Sequence, residues 1–254
     1  MSQSRPNAVG KTVRSLSRVS ADSHEMRNAI LLSLPGAERK AVLAKAQFVL
    51  LPSHNILNDV NAPIQNGYFM NSGLASQLQV LSGNKSVEVG LIGSEGFVGL
   101  PLAVGFATSP VRTISQTPVT ALRVNAKDLR AILSRCPVLR EKLNRYSQEL
   151  SLQGTLLAAC NRLHQVNKRL ARWLLMSQDR VGSDSFQLTQ ESLAAMLGTR
   201  RASVTTAAGT LQKAGLITYR RGRVKIDNRP KLEEASCECY KSLTQQMKAW
   251  RNHS

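Results

Sequence analysis

A chain of 254 residues that is 42% hydrophobic can fill one large or two modest globular cores, and it holds no run near the roughly 18 apolar residues of a membrane-spanning helix. Its net charge of +18 and pI near 10.5 point to a polyanionic partner, and the first 27 residues lack the apolar core of a signal peptide, so a cytoplasmic protein without membrane attachment is expected. Four cysteines, Cys136, Cys160, Cys237 and Cys239, are too few and too scattered for a disulfide scaffold and are expected as thiols.

Residues 1–27 are rich in Ser, Arg and Asn and poor in large apolar groups, which predicts a flexible basic tail, either solvated or touching DNA. From residue 28 the pattern turns globular: Ile30, Leu31 and Leu34, then Val42, Leu43 and Ala46, suit short helices around the Pro35-Gly36 break. Short strands follow over residues 47–51, 67–70, 74–81, 87–91, 111–114 and 119–124. Asn71-Ser72-Gly73 reads as a hairpin turn, Ser82-Gly83-Asn84 as another, and Val87-Glu88-Val89-Gly90-Leu91 alternates as a half-buried strand does. Many short strands between turns predict an antiparallel β-roll sensor domain over residues 28–135.

Pro137 can open a long helix. Leu139, Leu143, Tyr146, Leu150, Gln153, Leu157 and Cys160 recur alternately every four and three residues, a heptad seam that predicts a dimerisation helix over residues 136–163. The alternative is a helix packed only on its own domain, since Gln153 and Gly154 interrupt the seam. A second helix, about 165–181, carries Leu170, Trp173, Leu174 and Met176 towards the next domain, and Gly182 stops it.

Residues 164–228 carry the most specific pattern. Thr189 can cap a helix over residues 190–197, with Leu193, Met196 and Leu197 on one face; Gly198 breaks it. A second helix begins at Arg200-Arg201 and runs to about Ala214, with Val204, Ala207, Ala208 and Leu211 inward, and Gly215 closes it. Two short helices about a tight glycine turn, followed by strands around Arg220-Arg221-Gly222-Arg223, read as a winged helix-turn-helix. Between residues 162 and 226 twelve Lys and Arg residues face only Asp179, Asp184 and Glu191, a footprint for double-stranded DNA rather than the mixed charge of a solvated hairpin. Residues 229–254 form an expected helical extension, with Leu232, Ala235, Ser236 and Cys239 on one side of a helix over residues 230–241.

No constellation for catalysis is present, so the chain is not expected to be an enzyme. A cupin-type metal site in the roll would need clustered imidazoles, whereas His24, His54, His164 and His253 are isolated in sequence. Cys237-Glu238-Cys239 is too tightly spaced for a usual zinc pair and has no second pair, so inert thiols are expected and neither metal nor cofactor is assigned.

A β-roll, a long helix and a winged helix in this order resemble the Crp-Fnr family of bacterial transcription regulators. The resemblance rests on LTQESLAAMLGTRRASV over residues 188–204 and LQKAGLI over residues 211–217, and more loosely on YFMNSG over residues 68–73 and GSEGFVG over residues 93–99. It implies a homodimer on a palindromic operator, with dimer contacts from Leu139, Leu143, Tyr146, Leu150, Leu157 and Cys160, and RNA polymerase as a further candidate partner. It places Arg201, with Arg200 and Thr206, as base-reading residues, and Thr189, Gln190, Ser203, Arg220, Arg221 and Arg223 on phosphates. Where the family often has an acidic residue after the arginine stands Ala202, so operator sequence does not carry over. The cyclic-nucleotide branch takes ribose with a glycine-glutamate pair and phosphate with an arginine-serine pair; Leu100 and Ala107-Thr108 stand there instead, and Arg112 falls later. That departure implies an unknown small-molecule effector or none. The iron-sulfur branch uses N-terminal cysteines, which residues 1–135 lack, and no sequence feature calls for haem. The competing reading is a non-sequence-specific architectural or nucleoid DNA-binding protein using the same basic surface.

Overall fold

A computed structural model of the chain describes residues 25–252, so most of the expected N-terminal tail lies outside the described residues. Asn28 anchors the start of the fold. Its side-chain oxygen accepts the Leu31 amide as a helix cap, while its Nδ2 donates to the carbonyls of Met70 and Gly96, each at 2.8 Å. Helices α1 (Ala29–Leu32) and α2 (Gly36–Leu43) lead into β1 (Gln47–Leu51), β2 (Ile56–Asn58), β3 (Asn66–Ser72), β4 (Ala75–Val80), β5 (Ser86–Ile92) and β6 (Phe97–Val98). After α3 (Leu100–Ala103) come β7 (Arg112–Ser115), β8 (Val119–Asn125) and α4 (Ala126–Leu133). The strands make two four-stranded antiparallel sheets, β1-β8-β3-β6 and β2-β7-β4-β5, as the turn-punctuated pattern predicts.

Two local expectations are corrected. Asn71-Ser72-Gly73 is not a hairpin turn: β3 and β4 lie in different sheets, and the bend at Gly73 (φ 83°) carries the chain from one to the other. Composition marks a turn but not whether the strands beside it pair. In β5 the alternation reverses, because Gln77 pairs with Gly90 and Leu78 with Glu88, leaving Val89 unopposed. That bulge turns Glu88 inward to 2% exposure. Strands β2 and β6 were too short to read from sequence.

The long helix forms as Pro137 suggests. α5 (Pro137–Leu163) and α6 (Val166–Val181) are followed by β9 (Ser185–Gln187), α7 (Gln190–Met196), α8 (Arg201–Lys213), β10 (Ile217–Arg220), β11 (Arg223–Ile226), α9 (Arg229–Ala235) and α10 (Cys239–Asn252). The heptad seam, however, is internal. Leu139, Leu143, Tyr146, Leu150, Gln153, Leu157 and Cys160 are all buried within the single chain, none more than 8% exposed. Gln153 is no interhelical polar contact: its Oε1 accepts the Leu91 amide at 2.5 Å and its Nε2 donates to the Leu91 carbonyl, stitching α5 to β5. Gly154 permits that approach, since a Cβ there would meet the Val89 carbonyl oxygen at 3.3 Å. The dimer contacts assigned to this stripe are therefore corrected: four-three spacing reports one buried face, and here the roll and the C-terminal helices bury it. The helix expected over residues 230–241 is also two, α9 and α10, broken at residues 236–238.

Two apolar clusters result. One joins Val49, Phe69 and Leu122 of the first sheet to Leu57, Ala75 and Ile92 of the second and to Leu129, Leu139 and Leu143 of the helices. The other spans the domains: Leu74, Leu78 and Leu91 of the roll pack with Leu170, Trp173, Leu193, Leu197, Val204, Leu211, Val224 and Leu243. The winged domain thus sits on the sensor sheet through a shared core. Among the described residues no helix is long and apolar enough to cross a membrane.

Candidate nucleic-acid interface

The Thr189 hydroxyl accepts the Ser192 amide at 3.1 Å and starts α7, whose Leu193, Ala194 and Met196 are buried. Thr199 and Gly198 make the turn, with the Thr199 amide bonded to the Ala194 carbonyl. α8 then runs with Val204, Ala207, Ala208 and Leu211 inward and Arg201, Ala202, Thr205, Thr206 and Thr210 outward and exposed. Arg200 stands at its N-cap without a side-chain cap bond, so the positive end of the helix faces outward between two arginines, an arrangement that favours an anion.

The wing is a three-stranded antiparallel sheet, β10-β11-β9, of which β9 was not legible in sequence. Its tip turns at Arg221 (φ 50°) and Gly222 (φ 73°), the two successive positive φ angles of a tight hairpin turn, which leave Arg220, Arg221 and Arg223 exposed. The tip is tied down where α7 begins: the Leu188 amide donates to the Gly222 carbonyl at 2.7 Å and the Tyr219 hydroxyl to the Leu188 carbonyl at 2.9 Å. Thr189, Gln190, Glu191, Arg201, Tyr219 and Arg221 consequently line one cleft between α7, α8 and the wing. Burial pushes the Tyr219 phenol up, partly opposed by the nearby Arg201 charge.

The fold brings four of the candidate residues, Thr189, Gln190, Arg201 and Arg221, to one cleft of the winged domain. Arg200, Arg201, Thr206, Thr189, Arg220, Arg221 and Arg223 are exposed; Gln190 and Ser203 are half-buried. Thr205 and Tyr219 were not singled out in sequence. Thr205 donates to Gln190 Oε1 at 2.9 Å, and Tyr219 is the aromatic residue one step before the cationic tip, a position the hairpin pattern alone could have flagged. The charge footprint is smaller than the residue count implies, because Arg169 and Arg172 are buried and the Arg180 Nε pairs with the Glu95 carboxylate at 2.8 Å.

Residues 168–235 match the family model of the Crp-like helix-turn-helix domain. The chain therefore carries a Crp-like helix-turn-helix domain. Its fold is shared by a putative Crp/Fnr-family transcriptional regulator from Eubacterium rectale, at 16% identity and TM-score 0.65, over 82% of this chain and 98% of that one. FixK2 from Bradyrhizobium japonicum aligns at 14% identity and TM-score 0.64, over 76% of this chain and 98% of its own. The c-di-GMP-responsive global regulator CLP of Xanthomonas campestris aligns at 18% identity and TM-score 0.63, over 76% and 99%. In sequence, the chain matches no curated protein.

In the N-terminal roll, Gly99 (φ 110°) precedes α3 and Leu100 is that helix's first residue. Ala107 and Thr108 are exposed in the following loop. Arg112, which follows the expected phosphate pair in sequence, directs its Nε to Asp59 Oδ1 at 2.7 Å. That hydrogen bond holds the Asp59 carboxyl below the usual carboxylate range.

The structure also assembles a group that sequence spacing did not. Cys160 and His164 at the end of α5 meet Cys237 and Cys239 from the break between α9 and α10, although some 70 residues separate the pairs in sequence. The Cys160 thiol is drawn down to about 5, chiefly by the hydrogen bond from Cys237.

Proposed function

We propose that this protein is a sequence-specific DNA-binding transcription regulator, with α8 in the major groove and the wing on the phosphate backbone. The observation that carries the reading is the one cleft around which Thr189 and Gln190 of the α7 start, Arg201 of the α8 start and Arg221 of the wing tip lie together, with Thr205 bonded to Gln190 at its edge. A helix whose first turn offers Arg200 and Arg201 matches base-edge readout, in which Arg forks onto a guanine, while Arg220, Arg221 and Arg223 suit phosphates. Thr206 and Thr210 each donate to a carbonyl four residues back in α8, so their oxygens remain free to accept. Arg201→Ala is expected to lose about 1–3 kcal/mol of discrimination between operator and competitor DNA. Arg221→Ala and Arg223→Ala are expected to weaken both together and to lower the salt slope by about one unit. Fluorescence titrations over several salt concentrations read both effects; unchanged specificity in Arg201→Ala would remove α8 from the groove.

The reading includes a homodimer, which two recognition helices about 34 Å apart on a palindrome require. Because the inner stripe of α5 is buried, the contact must use the outer face, where Leu152 and Leu156 are half-buried, Ala159 is exposed and Leu163 is 73% exposed. These four residues recur at three- and four-residue spacing; Leu152 and Leu156 pack in part against the second apolar cluster, and Ala159 and Leu163 lie open.

The same reading holds the regulator independent of cyclic nucleotides. A phosphate buried without a paired cation loses far more solvation than neutral hydrogen bonds return, and the cation at hand, Arg112, is already engaged by Asp59. Calorimetry with cyclic AMP and cyclic GMP is expected to show no saturable heat; micromolar binding that disappears in Arg112→Ala would contradict this. The architectural alternative differs in one observable, uniform coverage of DNA in place of a footprint.

A further inference from the structure

We propose that Cys160, His164, Cys237 and Cys239 bind one zinc ion in a closed tetrahedral site that clamps the C-terminal extension to the hinge between α5 and α6. The four ligand atoms lie within 4.8 Å of one another, with the Cys160 and Cys237 sulfurs 3.4 Å apart and Cys239 Sγ 3.6 Å from His164 Nδ1. A tetrahedron with Zn–S bonds near 2.3 Å and Zn–N bonds near 2.0 Å sets its ligands roughly 3.5–3.8 Å apart, so small side-chain movements close the site on one ion. A [4Fe–4S] cluster holds each ligand on a different iron and a [2Fe–2S] cluster holds two on each, so either needs a wider spread than this.

Two further features point to a metal rather than to idle thiols. First, the imidazole is oriented as a ligand. Its Nδ1 faces Cys239 while its Nε2 lies 3.0 Å from the Glu238 carboxylate, an outer partner that fixes the tautomer and strengthens the nitrogen that faces inward. The tight Cys237-Glu238-Cys239 spacing then has a reason: alternate residues of the break send two sulfurs to the centre, and the residue between them supplies the carboxylate behind the histidine. Second, the surroundings are cationic. Arg169 and Arg172, 6% and 3% exposed, make no ion pair among the described residues, and the Nε of each lacks a hydrogen-bond partner there. Both feel the thiol cluster electrostatically. Three thiolates, a neutral imidazole and Zn²⁺ give the site a net charge of minus one, which compensates one of the two buried guanidinium charges beside it.

The location gives the site its consequence. Cys160 lies in the last turn of α5, His164 is the residue that ends it, and α6 begins two residues later. Zinc joins this hinge to the start of α10, whose Arg251 pairs with Glu149 farther up α5 at 2.5 Å. The clamp therefore holds the junction between the sensor and the winged domain.

The test uses the full chain purified under reducing conditions with zinc supplied. Elemental analysis is expected to give one zinc per chain, with Cys160, Cys237 and Cys239 shielded from a thiol reagent until a chelator is added. Cobalt substitution is expected to give the intense visible bands of a tetrahedral thiolate site together with sulfur-to-cobalt charge transfer, a readout on the unaltered protein that survives if variants fail to fold. Glu238→Gln is expected to weaken metal affinity about 10–100-fold, and Cys239→Ser more, while Cys136→Ser, whose sulfur lies in the roll cluster, leaves it unchanged. Metal-free protein with all thiols reactive, a Cys160–Cys237 disulfide in its place, or iron with acid-labile sulfide would each overturn the proposal.

Discussion

Leu143→Glu is expected to unfold the protein rather than to dissociate a dimer. The side chain is fully buried between α5 and the roll, in the cluster that also holds Phe69, Leu129 and Leu139. Removing it forfeits about 2–5 kcal/mol of packing, and the carboxylate that replaces it adds several kcal/mol of desolvation unless it takes up a proton. The sum approaches the roughly 5–15 kcal/mol that holds an ordinary domain together. The outer face behaves differently. Leu163→Glu with Ala159→Glu removes little buried area from the single chain, because both residues are exposed, and introduces like charges where two copies would meet. That variant is expected to stay folded by circular dichroism and to sediment as a monomer with weakened operator binding. A folded, dimeric Leu143→Glu protein would show that the inner stripe is not the core described, and a dimeric Leu163→Glu, Ala159→Glu protein would remove the outer face as the contact.

The second large effect concerns Glu88. It accepts a hydrogen bond from Ser76 Oγ at 2.6 Å and another from the Trp173 indole at 3.0 Å, so one carboxyl joins the sensor sheet to α6. Burial pushes it up to about 7 from its ordinary 4.5, against the opposing pull of those hydrogen bonds and of Arg172 and Arg180. Between these two values the native chain keeps a proton that the unfolded chain has lost. Stability contributed here is therefore full below about pH 4.5, falls as pH rises towards 7, and levels off above, a loss on the order of 3 kcal/mol. Glu88→Gln keeps an acceptor for Trp173, turns an amide N–H to the Ser76 hydroxyl in place of the oxygen that accepted from it, and carries no charge. Denaturant titrations across this range are expected to show a flatter pH profile in the variant and greater stability than the parent above pH 7. Superimposable profiles would assign the titration to other groups. The proton also lies at the seam between sensor and winged domain, so the same range is expected to alter how firmly the two are docked.

These cases mark what the sequence made legible. The winged helix was readable because its signals are local: a Thr cap, glycines at the breaks, apolar residues at helical spacing, and a cationic hairpin tip. The roll's order of strands was readable from its turns, but pairing was not, since Gly73 and the bulge at Val89 depend on which sheet each strand joins. The stripe on α5 was seen, but its partner was misassigned, because periodicity records burial and not what does the burying. The Cys160, His164, Cys237 and Cys239 group was invisible for a related reason, since spacing along the chain cannot show that the break before α10 returns to the end of α5. Buried Arg169 and Arg172 were counted as surface charge on composition alone.

The central claim is that the surface formed by α8 and the wing reads a DNA sequence. Genome-wide selection of bound fragments followed by footprinting of the purified full-length protein tests it most directly. The account predicts protection of a two-fold symmetric site with half-sites one helical turn apart, retained against excess competitor DNA and lost in Arg201→Ala. Uniform protection of every fragment, equally sensitive to salt in the parent and in Arg201→Ala, would contradict it.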